Sequence, residues 1–205
     1  MDVKNEDLHG NAPDSSPVAL LIIDMINDLE FPGGDELLEP ASRVADAIAQ
    51  LKKKAQAEQI PVIYANDNFG RWRSNFNDVI KHVLADGVRG QHLAEVLKPS
   101  PDDYFVLKPK NSAFYETTLD MLLTYLGVKH LILTGVNTDS CVLFSANDAF
   151  MRDLKLTIPA DCVAAIKATH THDALAYMKR VLRADTTPST QLDLADMLQE
   201  LSDAQ

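Results

Sequence analysis

Five short apolar runs recur along the chain: 18–23 (VALLII), 60–64 (IPVIY), 104–107 (YFVL), 129–134 (KHLILT) and 154–158 (LKLTI). A strand with one wet face alternates polar and apolar residues. A run without that alternation is the mark of a strand buried on both faces, as in a parallel sheet. Between the runs lie stretches of helical period. Residues 37–54 place Leu38, Val44, Ala45, Ile48, Ala49 and Leu51 on one stripe. Residues 118–126, 141–151, 172–182 and 192–201 also read as helices, with shorter ones at 76–85 and 93–97. Strands alternating with helices predict an α/β fold: three layers, with a doubly wound, mostly parallel sheet and helices on both faces. The length of 205 residues suits one domain over 17–205. Residues 1–16, polar and acidic without an apolar period, read as a flexible tail.

Three reactive side chains stand at or just beyond the carboxyl ends of predicted strands. Asp24 closes the first run, Lys108 closes the third, and Cys141 follows the fourth. In open parallel sheets, ligands bind outside the carboxyl ends of the strands. A cysteine in the first turn of a helix meets unpaired N–H groups and the positive helix end. Both favour the thiolate and can hold an oxyanion. A carboxylate in a low-dielectric cleft can take the thiol proton, and an ammonium beside it favours the thiolate. Each residue also has a plainer reading. A free cysteine packs well in a core, an aspartate caps a loop, and a lysine usually sits at the surface. The three equivalent positions argue for nucleophilic acyl transfer without a cofactor.

Composition narrows the alternatives. The formal net charge is −11, spread along the chain. It offers no basic footprint for nucleic acid and no polybasic patch for an anionic membrane. The two cysteines, Cys141 and Cys162, form no Cys-x-x-Cys pair, and no His is spaced with them as in a zinc finger. No secretory h-region and no run of transmembrane length is present, so a cytoplasmic location is the expectation.

Three ordered segments resemble the isochorismatase-like cysteine hydrolase superfamily, which includes nicotinamidases, N-carbamoylsarcosine amidohydrolase and isochorismatases. They are Leu21-Ile22-Ile23-Asp24-Met25-Ile26-Asn27-Asp28, Lys108-Pro109-Lys110-Asn111-Ser112-Ala113-Phe114 and Gly135-Val136-Asn137-Thr138-Asp139-Ser140-Cys141-Val142. The second is similar to the family's Lys-x-x-x-Ser-Ala-Phe and the third to its Gly-x-x-Thr-x-x-Cys-Val. The resemblance implies Cys141 as nucleophile, Asp24 as its general base and Lys108, rather than Lys110, as the paired ammonium. It implies a cis peptide between Val136 and Asn137, and an oxyanion hole from the N–H groups of Asn137 and Cys141. It implies a small-molecule substrate and a homodimer or homotetramer.

The sequence also departs from parts of that family. Nicotinamidases carry a metal beyond the second strand on Asp-x-His and further His residues. Here that place reads Asn66-Asp67-Asn68-Phe69-Gly70-Arg71-Trp72, without His, so a metal-free site is the expectation. Phe69, Arg71 and Trp72 lie in a predicted loop that could reach the pocket, where an Arg could bind a carboxylate. His170 and His172 lack a third metal ligand and read as capping or surface residues; Cys162 reads as packing. The chemistry favoured is hydrolysis of an amide or ureido C–N bond through a thioester. Two alternatives stay open: vinyl-ether hydrolysis with Asp24 as the acid, and a catalytically idle binding or redox-responsive member.

Overall fold

The computed structural model describes residues 15–68 and 75–203. Five main strands, β1 (Val18–Ile23), β2 (Val62–Asp67), β3 (Tyr104–Lys108), β4 (His130–Val136) and β5 (Lys155–Thr157), pair in the order β3-β2-β1-β4-β5. A two-residue strand, β6 (Val163–Ala164), pairs with the carboxyl end of β4. Every pairing is parallel. The helices are α1 (Gly34–Ala57), α2 (Phe76–Ala85), α3 (Gln91–Val96), α4 (Leu119–Leu126), α5 (Leu143–Phe150), α6 (Ala168–Val181) and α7 (Leu194–Asp203).

The unbroken apolar character of β1 follows from its central place. Val18, Leu20 and Ile22 face one core, shared with residues of α1, α2, α3 and α7. Ala19, Leu21 and Ile23 face the other, shared with residues of α4, α5 and α6. None of the six is exposed to solvent. Burying each Leu or Ile stabilises the fold by roughly 1.5–3 kcal/mol, so the sheet axis is the strongest part of the core. Among the described residues, no helix is long and apolar enough to cross a membrane.

Two local expectations are corrected, and one element is added. Asn66 and Asp67 are not loop residues but the end of β2, where Asp67 registers against Lys108 of β3. The strand runs on through polar residues because its end at this rim meets the Lys108 side of the site rather than a core. Ser16 is not part of a loose tail: its N–H donates to the Leu126 carbonyl at 2.9 Å, and its hydroxyl donates to the Val18 carbonyl at 2.8 Å. The added element, β6, has no signal of its own, since two residues are too few for a period.

Strand order reverses between β1 and β4: the chain leaves β1 towards β2 on one side and returns to β4 on the other. Such a switch point opens a crevice at the carboxyl ends. Gly135 makes the two strands fit there. Its φ is +112°, and a Cβ on it would sit 2.0 Å from the Ile23 carbonyl oxygen. Any larger residue would push β4 away from the strand that ends on Asp24.

Candidate active site

Asp24, Lys108 and Cys141 meet at this crevice. Lys108 Nζ lies 2.8 Å from Asp24 Oδ2 and 3.5 Å from Cys141 Sγ. Lys108 starts from β3, two strands from β1, with β2 between them. Neighbouring strands are about 4.8 Å apart, so only a long side chain spans that gap. On the way its ammonium passes Asp67 Oδ2 at 3.9 Å and donates to the Lys110 carbonyl at 3.2 Å. Asp24 stands in the left-handed region, with φ of +54°, which Asp tolerates better than most residues. Its N–H donates to the Ala65 carbonyl at 2.9 Å, and its Oδ1 accepts from the Asp67 N–H at 2.8 Å. The carboxylate is thus held at both oxygens.

Burial governs the electrostatics. Lys108 is 0% and Asp24 6% exposed. Burial raises the Asp24 pKa, and the charge of Lys108 beside it limits the rise. Burial alone would lower Lys108, but the charge of Asp24, joined by that of Cys141 once it ionises, outweighs it and holds the ammonium. Cys141 is pushed up to about 11, by burial first and then by the negative charge of Asp24, with Lys108 opposing. The expectation of a resting thiolate is therefore corrected. The thiol keeps its proton at neutral pH, because burial disfavours the anion and the carboxylate that could accept the proton also repels it.

The backbone around Cys141 differs from a plain helix start as well. Residues Thr138–Val142 form a π-helical turn, and α5 begins only at Leu143. The Val136–Asn137 peptide is cis. The Asn137 carbonyl accepts from the N–H groups of Ser140 and Val142, both at 3.1 Å, and so points into the turn. Ser145, fully buried on α5, donates its hydroxyl to the Cys141 carbonyl at 2.7 Å and accepts the Ala113 N–H at 2.9 Å. One side chain thereby joins the turn carrying Cys141 to the segment carrying Lys108. Ser112 adds a second tie by donating to Asp148 Oδ2 of α5.

Phe69, Arg71 and Trp72 lie outside the described residues. Among the described residues, no group of three or more His, Cys, Asp and Glu side chains could hold a metal ion. His170 Nδ1 pairs with Asp139 Oδ2 at 3.0 Å, and His172 Nδ1 with Asp173 Oδ1 at 3.2 Å. Cys162 is buried among core residues, and burial lifts its thiol to about 12. Sequence reasoning missed Asp67, Asn111 and Ser145 as parts of this cluster. Asp67 depends on strand register, and Ser145 on the pitch of the turn before it; neither leaves a pattern in the sequence. Asn111 sits inside a segment already singled out, at a position the motif leaves free.

The model of the isochorismatase domain matches residues 18–190. The isochorismatase family protein YaaI of Bacillus subtilis is 41% identical over 174 residues, covering 85% of this chain and 95% of that protein. The ureidoacrylate amidohydrolase RutB of Caulobacter vibrioides is 27% identical over 173 residues, covering 72% of this chain and 77% of that protein. The crystal structure of N-carbamoylsarcosine amidase from Thermoplasma acidophilum superposes with a TM-score of 0.65 at 26% identity. It covers 86% of this chain and 98% of that one.

Proposed function

The chain belongs to the isochorismatase family of small-molecule hydrolases, and within it we propose that Cys141 cleaves a C–N amide or ureido bond through a thioester. The observation that carries this reading is the position of Lys108 Nζ, in contact with both the Asp24 carboxylate and the Cys141 sulfur. Relatives with amidohydrolase and amidase names support the bond type.

The proposed reaction runs as one proton circuit. As Sγ attacks the substrate carbonyl carbon, its S–H proton passes to Asp24, whose raised pKa suits an acceptor that must later donate. Lys108 offsets the charge that moves from carboxylate to sulfur. The oxyanion of the tetrahedral intermediate is assigned to the N–H groups of Asn137 and Cys141. Protonated Asp24 gives its proton to the departing nitrogen, and ammonia or an amine leaves. Asp24, again a carboxylate, takes a proton from water as the hydroxide adds to the thioester carbon; the C–S bond then breaks, the acid product leaves, and Asp24 returns its proton to Sγ, which restores both the thiol and the carboxylate.

One observation favours a second reading. A buried Asp24 with a raised pKa is also suited to act as an acid, as vinyl-ether cleavage requires. A hydrolysis screen over nicotinamide, pyrazinamide, ureido acids, carbamoyl-amino acids and isochorismate separates the two. Under the amide reading, Cys141→Ala abolishes turnover of the preferred substrate. Turnover that survives Cys141→Ala and fails in Asp24→Asn instead assigns the acid mechanism. A homodimer or homotetramer is the proposed assembly, on the strength of the family resemblance, and light scattering after size exclusion measures it.

A further inference from the structure

We propose that Asn111 is a further catalytic residue, whose side-chain amide donates to the Cys141 thiolate from the solvent side. The proposal rests on the reading of Cys141 as nucleophile. Asn111 Nδ2 lies 4.0 Å from Cys141 Sγ, at the outer limit of an N–H···S contact, and the residue is exposed. Lys108 and Asp24 reach the same sulfur from the buried side. Ser140 Oγ is a third donor, at 3.9 Å.

An exposed loop asparagine is ordinarily a solvated turn residue, but here the backbone on both sides of Asn111 is tied to the site. Before it, the Lys110 carbonyl accepts from Lys108 Nζ at 3.2 Å. After it, the Ser112 hydroxyl donates to Asp148, and the Ala113 N–H donates to Ser145, which holds the Cys141 carbonyl. The amide is therefore presented to the sulfur by anchored neighbours.

The chemistry at that point calls for a neutral donor. When the S–H bond breaks and the proton forms an O–H bond on Asp24, a full negative charge rests on sulfur. Lys108 then faces that charge instead of the carboxylate. A second ammonium on the open side would pair with Asp24 or Asp67 in the resting site, whereas an amide strengthens its bond only once the thiolate exists. Its place on the solvent side also puts it on the face by which a carbonyl reaches the sulfur.

The test needs no substrate. The rate of Cys141 alkylation by iodoacetamide is followed against pH, with peptide mass mapping to separate it from Cys162. Asn111→Leu removes the donor at similar size, and its exposure leaves the fold intact, checked by thermal melting. The expected result is alkylation at pH 8 slowed by about three- to tenfold, with the profile displaced to higher pH and the limiting rate kept. Asn111→Asp places a like charge beside the thiolate and displaces the profile further. Superimposable profiles for the wild type and both variants, with matching melting temperatures, would overturn the proposal. If the wild-type Cys141 is not alkylated at any pH, the reading of Cys141 as nucleophile falls instead.

Discussion

Replacing Lys108 with Met keeps the volume of the side chain and removes a buried charge. The ammonium it deletes serves Asp24 at 2.8 Å, the Lys110 carbonyl at 3.2 Å and Asp67 at 3.9 Å. Breaking a buried pair by removing one partner costs about 3–5 kcal/mol, because the other charge is left uncompensated. Asp24 has an escape: it can take a proton. Its pKa, already raised by burial, then rises further, since Lys108 no longer opposes the effect. A carboxyl whose folded pKa lies above its unfolded value contributes stability that is present below the unfolded pKa, about 3.9, and is lost as pH rises through the folded one. The deficit of Lys108→Met is therefore expected to be small near pH 4.5 and to approach about 3–5 kcal/mol at pH 8. Urea unfolding of the wild type, Lys108→Met, Asp24→Asn and the double variant measures it. The double variant should recover most of the loss at pH 8, because it removes both charges. An equal deficit at both pH values, with no recovery in the double variant, would mean that the lost stability does not come from an uncompensated Asp24 charge.

Three further outcomes are expected. Ser145→Ala leaves the Ala113 N–H without its acceptor; it should cost about 1–3 kcal/mol in urea unfolding and lower kcat more than it raises KM. His130 is held neutral at about 4 by burial, and its Nε2 lies 2.8 Å from Thr157 Oγ1. The unfolded chain binds that proton first, so stability should fall as pH drops from about 6.5 towards about 4, and His130→Gln should flatten that fall by roughly 2 kcal/mol. Iodoacetamide at pH 8 should label Cys141, which is only partly buried, and spare Cys162, which is buried in the core with its thiol pushed up to about 12; peptide mapping reads the ratio.

The fold was legible because its central strand carries so plain a signal. VALLII has no polar residue to spend on a wet face, and the structure buries all six side chains against two cores. Asp24, Lys108 and Cys141 were legible as candidates because each follows an apolar run, and strand ends share a rim. What stayed hidden depends on register and pitch. Asp67 reads as a loop residue until its pairing with Lys108 is known. Cys141 reads as a helix start favouring the anion until the π-helical turn and the depth of burial are known. Its thiol then moves the opposite way, because desolvation and the neighbouring Asp24 carboxylate outweigh Lys108 and the Ser140 hydroxyl. The residues 69–74, which hold three candidate substrate contacts, lie outside the described part of the chain.

In the proposed reaction, Cys141 and the acyl part of the substrate share a covalent bond during turnover. Intact-mass spectrometry of the enzyme, quenched in acid during turnover of the best amide or ureido substrate, tests it most directly. The expected result is a mass increase equal to that acyl group, mapped to the peptide bearing Cys141 and absent in Cys141→Ala, which does not turn over. Full turnover by Cys141→Ala, with no adduct on the wild type, would contradict it.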